Sequence, residues 1–178
     1  DTTHSVNIHH AYDDWLNPLY QKVDFKTLIP LYDEVIKNYL EKLLIKTFYR
    51  YKFNVTNYTC IDKAGQMGDH VHPSNFTMVH YIQFDALNHK PTCFVNPYPH
   101  EVYFRQLSKN LLPLLNEKKL INCWAFKEWH LDIKEDDLII GPGLMKHKLN
   151  LQNSKKKKRI AIVTNIDIYD KDAVEQKI

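Results

Sequence analysis

The sequence predicts a mainly β domain, a β-sandwich or barrel, with one α-helix packed against it. Three features indicate this class. Between residues 24 and 46 apolar residues recur every three or four positions, which is the period of an amphipathic helix. Beyond residue 48 apolar and polar residues alternate in short runs, which is the period of a strand. Clusters of Asn, Gly, Pro and Lys separate these runs, as turns between strands require.

The predicted elements follow in chain order. The helix at 24–46 has a single apolar stripe, which we expect to back a β-sheet. A long strand at 48–61 comes next, because aromatic and β-branched residues alternate there with polar ones. Further strands are predicted over residues 75–84, 92–95, 121–126, 129–133, 137–140, 146–151 and 159–168. This number of short strands with one helix is typical of a sandwich or barrel.

Composition and charge restrict the class of protein. The chain has 178 residues, 44% hydrophobic and 25% charged, which predicts one globular domain over 1–178. Within it we expect an extended arm at 1–23, the helix at 24–46 and a β core at 48–169. A net charge of +3 does not indicate a nucleic-acid partner. No run reaches the roughly 20 apolar residues of a membrane helix, so no membrane partner is expected.

The cysteines indicate the compartment. Cys60, Cys93 and Cys123 are an odd number without CxxC spacing, which fits neither a disulfide framework nor a thiolate zinc site. We therefore expect three reduced thiols packed as small apolar side chains. Since no signal peptide is recognisable either, the sequence favours a cytoplasmic location.

The segment with the clearest chemistry is His70-Val71-His72. Two histidines separated by one residue on an extended backbone point to the same side, and neutral imidazole binds iron, zinc, copper or nickel. The same pair would also fit an exposed loop. The other histidines, His89, His100 and His130, have no partner at metal-binding spacing and are predicted to lie on the surface.

Two downstream residues extend this pattern. His147 opens a predicted strand after a Gly-Pro-Gly turn, and Arg159 opens the next strand. Side chains at the edges of neighbouring strands can face one cavity. Three protein ligands would leave coordination positions open, and an arginine can bind a carboxylate through two hydrogen bonds.

The order of these residues resembles that of the 2-oxoglutarate- and iron(II)-dependent oxygenases, and in particular their prolyl-hydroxylase-like branch. The resemblance covers residues 55–167 and also includes the strand that ends in His80-Tyr81-Ile82-Gln83. It implies a double-stranded β-helix, which is a cupin-like jelly roll, with the metal in its mouth. It further implies an enzyme that hydroxylates a peptide or small molecule, consumes dioxygen and 2-oxoglutarate, and releases succinate and carbon dioxide.

The resemblance also implies a set of site residues. Three histidines would hold iron(II), namely His70, His72 and His147. Three residues would bind the co-substrate 2-oxoglutarate, namely Arg159, Tyr81 and Tyr58, with Arg159 on the far carboxylate. Loops at 62–69 and 96–119 would lie over the mouth, where substrate specificity resides in this architecture.

The chain departs from the family pattern in two places. His72 stands where most members have a carboxylate, so the ligand set would be three neutral imidazoles. The interval from His147 to Arg159 is longer than usual, which the sequence accounts for by a lengthened hairpin tip at 153–158. Two other functions therefore stay open, a cupin metalloenzyme that does not use 2-oxoglutarate and a non-catalytic jelly-roll binding module.

Overall fold

The computed structural model describes residues 9–12, 25–43, 49–61, 64–96, 128–154 and 156–170. This part of the chain contains one helix, α1 (Phe25–Lys42), and nine strands. The strands are β1 (His9–Tyr12), β2 (Tyr49–Ile61), β3 (Met67–His70), β4 (Phe76–Gln83), β5 (Cys93–Val95), β6 (Glu128–His130), β7 (Leu138–Pro142), β8 (His147–Leu149) and β9 (Arg159–Asp170).

The strands form two antiparallel sheets. The five-stranded sheet has the order β1-β2-β9-β4-β7, and the four-stranded sheet has the order β3-β8-β5-β6. From β2 onward the chain passes repeatedly from one sheet to the other, so strands distant in sequence become neighbours. This winding is that of the double-stranded β-helix, and the predicted fold class, a jelly roll with an N-terminal helix, is confirmed.

Helix α1 covers one face of the five-stranded sheet. Tyr32, Ile36 and Leu40, spaced four residues apart, are buried on one side of the helix and pack against Met78 of β4 and Ile162 of β9. Because the side chains of a strand alternate between faces, this packing determines which residues of β4 and β9 point the other way.

The opposite face of this sheet is the inner face of the jelly roll. Val79 and Tyr81 of β4 cluster there with Ala161 of β9. The hydroxyl of Tyr81 lies 2.8 Å from Oγ1 of Thr92, which precedes β5, so this face points toward the four-stranded sheet. Two of the predicted site residues, Tyr81 and Arg159, belong to this inner face.

Two strands are absent from the sequence prediction. β1 lies within the segment predicted to be an extended arm, and it pairs with β2. β3 lies mostly within the predicted loop at 62–69, but the backbone of Met67–His70 pairs with β8. The sequence Met-Gly-Asp-His has no strand periodicity, so this strand depends on its partner rather than on its own pattern.

Some predictions lie outside the described residues, including the strand at 121–126, His100, Cys123 and most of the loop at 96–119. Cys60 and Cys93 are buried, and neither is in a disulfide bond among the described residues. Within the described part of the chain, no helix has the length and apolar character needed to cross a membrane.

Candidate metal centre

Three histidines converge at one end of the jelly roll. His70 ends β3, His72 lies two residues further in the following loop, and His147 begins β8. The pairing of β3 with β8 places His70 directly opposite His147, and their ring centroids are 4.3 Å apart. One ligand atom from each of the three rings lies within 4.8 Å of the other two. The structure thus brings together the three predicted metal ligands.

Backbone carbonyls orient two of these rings. Nδ1 of His70 donates to the carbonyl of Gly68 at 2.9 Å, and Nδ1 of His147 donates to the carbonyl of Met145 at 2.8 Å. Since the proton of a neutral imidazole is then on Nδ1, the lone pair of each ring is on Nε2. This is the second-sphere arrangement usual for metal-binding histidines.

The distance between two of the nitrogens is that of two ligands of one ion. Nε2 of His72 lies 3.3 Å from Nε2 of His147. Two nitrogens bound to a first-row metal are separated by about 3.0–3.5 Å at octahedral or tetrahedral angles. The donor set and its orientation therefore fit a divalent transition-metal ion.

Burial favours the neutral form of His72 and His147. Desolvation lowers the pKa of His72 to about 4, with further lowering by His147 and His70, while a hydrogen bond with Asn165 opposes the shift. Desolvation also lowers the pKa of His147. Because a metal binds the deprotonated nitrogen, both rings are competent ligands at neutral pH without first losing a proton.

Asn165 is a neighbour of the centre that is not among the predicted site residues. It lies on β9 beside His72, and its Oδ1 accepts a hydrogen bond from Thr77 Oγ1 of β4 at 3.4 Å. One signal could have found it. Asn165 is six residues after Arg159 on the same strand, and an even spacing places both on one face.

Arg159 begins β9 and points into the interior. It is 3% exposed, and its guanidinium carbon lies 5.2 Å from the centroid of the Tyr81 ring. Its Nε has no hydrogen-bond partner among the described residues. Burial lowers its pKa, and Coulombic attraction and hydrogen bonding to Tyr81 oppose this shift. The guanidinium nevertheless stays protonated, so this site contains a buried cation.

Tyr81, which the resemblance predicts to bind 2-oxoglutarate, lies on the inner face beside Arg159. Its hydroxyl accepts a hydrogen bond from the backbone N–H of Thr92 at 3.1 Å and contacts the Thr92 hydroxyl at 2.8 Å. The structure therefore places a phenol and a guanidinium side by side.

The structure does not bring Tyr58 to this site, and its predicted role in binding 2-oxoglutarate is corrected here. Tyr58 pairs with Ile162 across the β2–β9 ladder and packs against the cluster that contacts α1. It therefore lies on the outer face of the sheet. The inward neighbours of Tyr58 on β2 are Asn57 and Thr59, both buried, because successive residues of a strand alternate between faces.

His89, predicted to be a surface residue, is instead buried, with 4% exposure. Its Nδ1 accepts a hydrogen bond from the backbone N–H of Asp85 at 3.0 Å, and its Nε2 donates to the carbonyl of Lys157 at 2.8 Å. His130 is exposed, as predicted. Through these two hydrogen bonds, His89 connects the turn after β4 with the segment that precedes Arg159.

No protein-family model matches the sequence, and no curated protein matches it. Solved structures do. An oxidoreductase of the 2OG-Fe(II) oxygenase family from Burkholderia pseudomallei is similar with a TM-score of 0.58 and 11% identity, over 90% of this chain and 68% of that chain. The two share a jelly-roll fold. A cupin domain from Bordetella pertussis gives a TM-score of 0.37 and 9% identity, over 67% of this chain and 91% of that chain.

Proposed function

We propose that the chain is an iron(II)- and 2-oxoglutarate-dependent dioxygenase that hydroxylates a peptide or small molecule and releases succinate and carbon dioxide. The observation that carries this proposal is the buried guanidinium of Arg159, whose Nε has no partner among the described residues. Arg159 lies on the same face of β9 as Asn165, which is a neighbour of His72. A buried charge is costly until a counter-charge with good geometry joins it. A dicarboxylate whose other end chelates a metal supplies such a counter-charge.

In this proposal the chain binds 2-oxoglutarate at two ends. Arg159 donates two hydrogen bonds to the far carboxylate, and the face of Tyr81 keeps the guanidinium in position. The Tyr81 oxygen already accepts the Thr92 N–H, and its own proton can be donated either to Oγ1 of Thr92 or to the same carboxylate.

At the other end, His70, His72 and His147 would hold the metal. Bound iron(II) would supply the redox chemistry that couples decarboxylation of 2-oxoglutarate to oxidation of the substrate by dioxygen. The chain shields this end with aromatic side chains. Phe94 stacks on Trp129 with centroids 5.6 Å apart, and Phe94 lies 6.2 Å from the His147 ring. An apolar wall beside the ligands excludes water from reactive species.

One observation favours a second candidate, a cupin-type metalloenzyme that does not use 2-oxoglutarate. The three predicted ligands are all histidines, with no carboxylate among them. Such a centre leaves the full charge of a divalent ion available to an anionic substrate that binds the metal directly. In this case Arg159 would have no part in cofactor binding.

Anaerobic titration separates the two candidates. Iron(II), then 2-oxoglutarate, is added to metal-free protein while the visible absorption is recorded. We expect a weak charge-transfer band that needs both additions, that is lost in His147→Ala, and that requires about a hundredfold more 2-oxoglutarate in Arg159→Ala, since two charge-assisted hydrogen bonds disappear. The iron content of Arg159→Ala should be unchanged. Bound iron without a band would favour the second candidate, and absence of bound iron would favour a binding module.

A further inference from the structure

The turn between β7 and β8 contacts the loop that carries His72 through Gly143. The backbone N–H of His72 donates to the carbonyl of Gly143 at 2.9 Å, and the N–H of Gly143 donates to the carbonyl of Asn75 at 3.1 Å. Both polar groups of one glycine are thus bonded to the metal-binding loop. The same turn supplies the Met145 carbonyl that orients His147. It therefore contacts two of the three predicted ligands.

Gly143 allows this contact because it has no side chain. A Cβ at this position would lie 2.2 Å from the backbone oxygen of Ser74, 2.6 Å from its Oγ and 2.9 Å from the backbone oxygen of His72. No described glycine has a positive φ, so the requirement is for close approach and not for an unusual backbone conformation.

The atoms that a methyl group would meet cannot easily move away. The N–H of Ser74 donates to the carbonyl of His72 at 2.8 Å, and its hydroxyl donates to the carbonyl of Phe76 at 2.9 Å. Two of the three close atoms are backbone atoms inside this bonded loop. A methyl group at Gly143 would therefore push the loop and the turn apart as units, and His72 would move with the loop.

We propose that Gly143 is a positioning residue of the metal centre, whose missing side chain sets the separation of His72 from His147. The inference rests on the metal-binding part of the proposed function. Metal sites tolerate displacements of only about 0.5 Å, so a shifted loop should impair binding without any change to a ligand.

The chain contains a matched control two residues upstream. A Cβ at Gly141 would meet nothing within 4 Å. Gly141→Ala and Gly143→Ala therefore add the same methyl group to the same β7–β8 segment, and only the second affects the contact with the His72 loop.

The experiment uses Co²⁺ as the probe, because its visible d–d bands report both occupancy and ligand geometry. We expect Gly143→Ala to bind Co²⁺ about tenfold to a hundredfold more weakly with altered bands, the range seen when second-sphere partners of a metal are lost. Gly141→Ala should match the wild type in both. A purely structural role would lower the melting temperature of the metal-free protein and leave the Co²⁺ affinity and spectrum unchanged, which would overturn the proposal.

A second variant covers the case in which Gly143→Ala does not fold. Gly143→Ala combined with Ser74→Gly removes the contact with Oγ, and a glycine at position 74 gives the backbone there more conformational freedom. Its affinity should lie between those of the wild type and Gly143→Ala, or below that of the single variant Ser74→Gly if Gly143→Ala cannot be measured. Where Gly143→Ala cannot be measured, a double variant that binds Co²⁺ as tightly as Ser74→Gly alone would contradict the inference. If the wild-type protein itself binds no Co²⁺, the proposed function fails together with the inference. If the wild type binds Co²⁺ and Gly143→Ala binds it as tightly as Gly141→Ala does, the inference fails alone.

Discussion

The two ends of the jelly-roll interior differ in what holds their polar side chains. At the metal end, His70 and His147 each donate Nδ1–H to the carbonyl two residues before them in sequence. At the other end, Arg159 lies over the ring of Tyr81, and its Nε has no partner in the described part of the chain. The first end is oriented by the local backbone. The second depends on contacts that the fold brings from distant positions.

This difference has a consequence for ligand binding. The metal end is preorganised, because the lone pairs of the rings are set before an ion arrives. The Arg159 end contains a buried cation with unused hydrogen-bonding capacity, which an anion would satisfy. Metal binding should therefore be tight without 2-oxoglutarate, whereas 2-oxoglutarate should stabilise the protein more than its few atoms alone would suggest.

The largest expected effect is at the metal end. Replacing His147 by Ala removes one of three ligands, and we expect the affinity for Co²⁺ to fall by at least about a hundredfold. His130→Ala is the matched control, since it removes an exposed histidine from β6, another strand of the same sheet. Equilibrium dialysis with metal analysis measures both. Equal metal content in the two variants would show that the cluster is not the metal site.

The next effect concerns the stability of the Arg159 end. Arg159→Met keeps the volume and removes the buried charge, so the ligand-free variant should be more stable than the wild type by about 1–3 kcal/mol. The loss of the contact with the Tyr81 ring offsets part of this gain. At the same time, 2-oxoglutarate with metal should no longer raise the melting temperature.

Arg50→Met provides the control, because Arg50 is an exposed arginine on β2. Its replacement should change neither the free energy of unfolding nor the rise in melting temperature caused by 2-oxoglutarate. Urea denaturation gives the free energy of unfolding, and thermal unfolding with and without 2-oxoglutarate gives the ligand response. A less stable Arg159→Met protein would mean that the folded chain already neutralises this guanidinium.

A smaller, pH-dependent effect is expected at His89, which holds the segment before Arg159. Desolvation lowers its folded-state pKa below the ordinary 6.5. As the pH falls, His89 is therefore protonated in the unfolded chain before it is protonated in the folded protein. The stability that neutral His89 contributes declines from about pH 6.5 down to the folded-state pKa. Protonation also puts a hydrogen on Nδ1, so Nδ1 can no longer accept the hydrogen bond from the Asp85 N–H.

The test is a comparison of wild type with His89→Gln at two pH values. At pH 8 the variant should be less stable by about 1–3 kcal/mol, because the part-buried Asp85 N–H and Lys157 carbonyl lose their hydrogen bonds with the imidazole. At pH 5 the difference should be smaller. Urea titrations at both values measure it, and a difference that stays constant or grows on acidification would contradict the assigned neutral form.

How far the sequence predicts this molecule follows from the range of the interactions. The pair His70 and His72 and the strand that starts at Arg159 were predicted from spacing and alternation, which are local signals, whereas His147 entered the predicted ligand set through the resemblance to the oxygenases. The even spacing from Arg159 to Asn165 was also local, but nothing in a single sequence shows that this position reaches His72. The burial of His89 depends on Asp85 and Lys157, the second of which lies 68 residues away.

Tyr58 shows the other limit. Its distance from His70 in sequence is similar to that of a pocket tyrosine in the oxygenases. A residue on a strand can point to either face of the sheet, however, and the pairing register decides which. The register of β2 with β9 opposes Tyr58 to Ile162, whose side chain belongs to the cluster under α1. A shift by one residue would have turned Tyr58 inward.

The smallest effects test this assignment of faces with one matched pair. Tyr81→Phe removes the hydroxyl beside Arg159 and its contacts with Thr92, so the affinity for 2-oxoglutarate should fall about threefold to thirtyfold. Tyr58→Phe removes the same atom from the opposite face of the sheet, where burial and the neighbouring Cys60 raise the pKa of Tyr58 to about 12. Its affinity for 2-oxoglutarate should equal that of the wild type. The anaerobic titration used for Arg159→Ala measures both, and since only the face differs between the two substitutions, a weaker Tyr58→Phe complex would mean that Tyr58 reaches the interior after all.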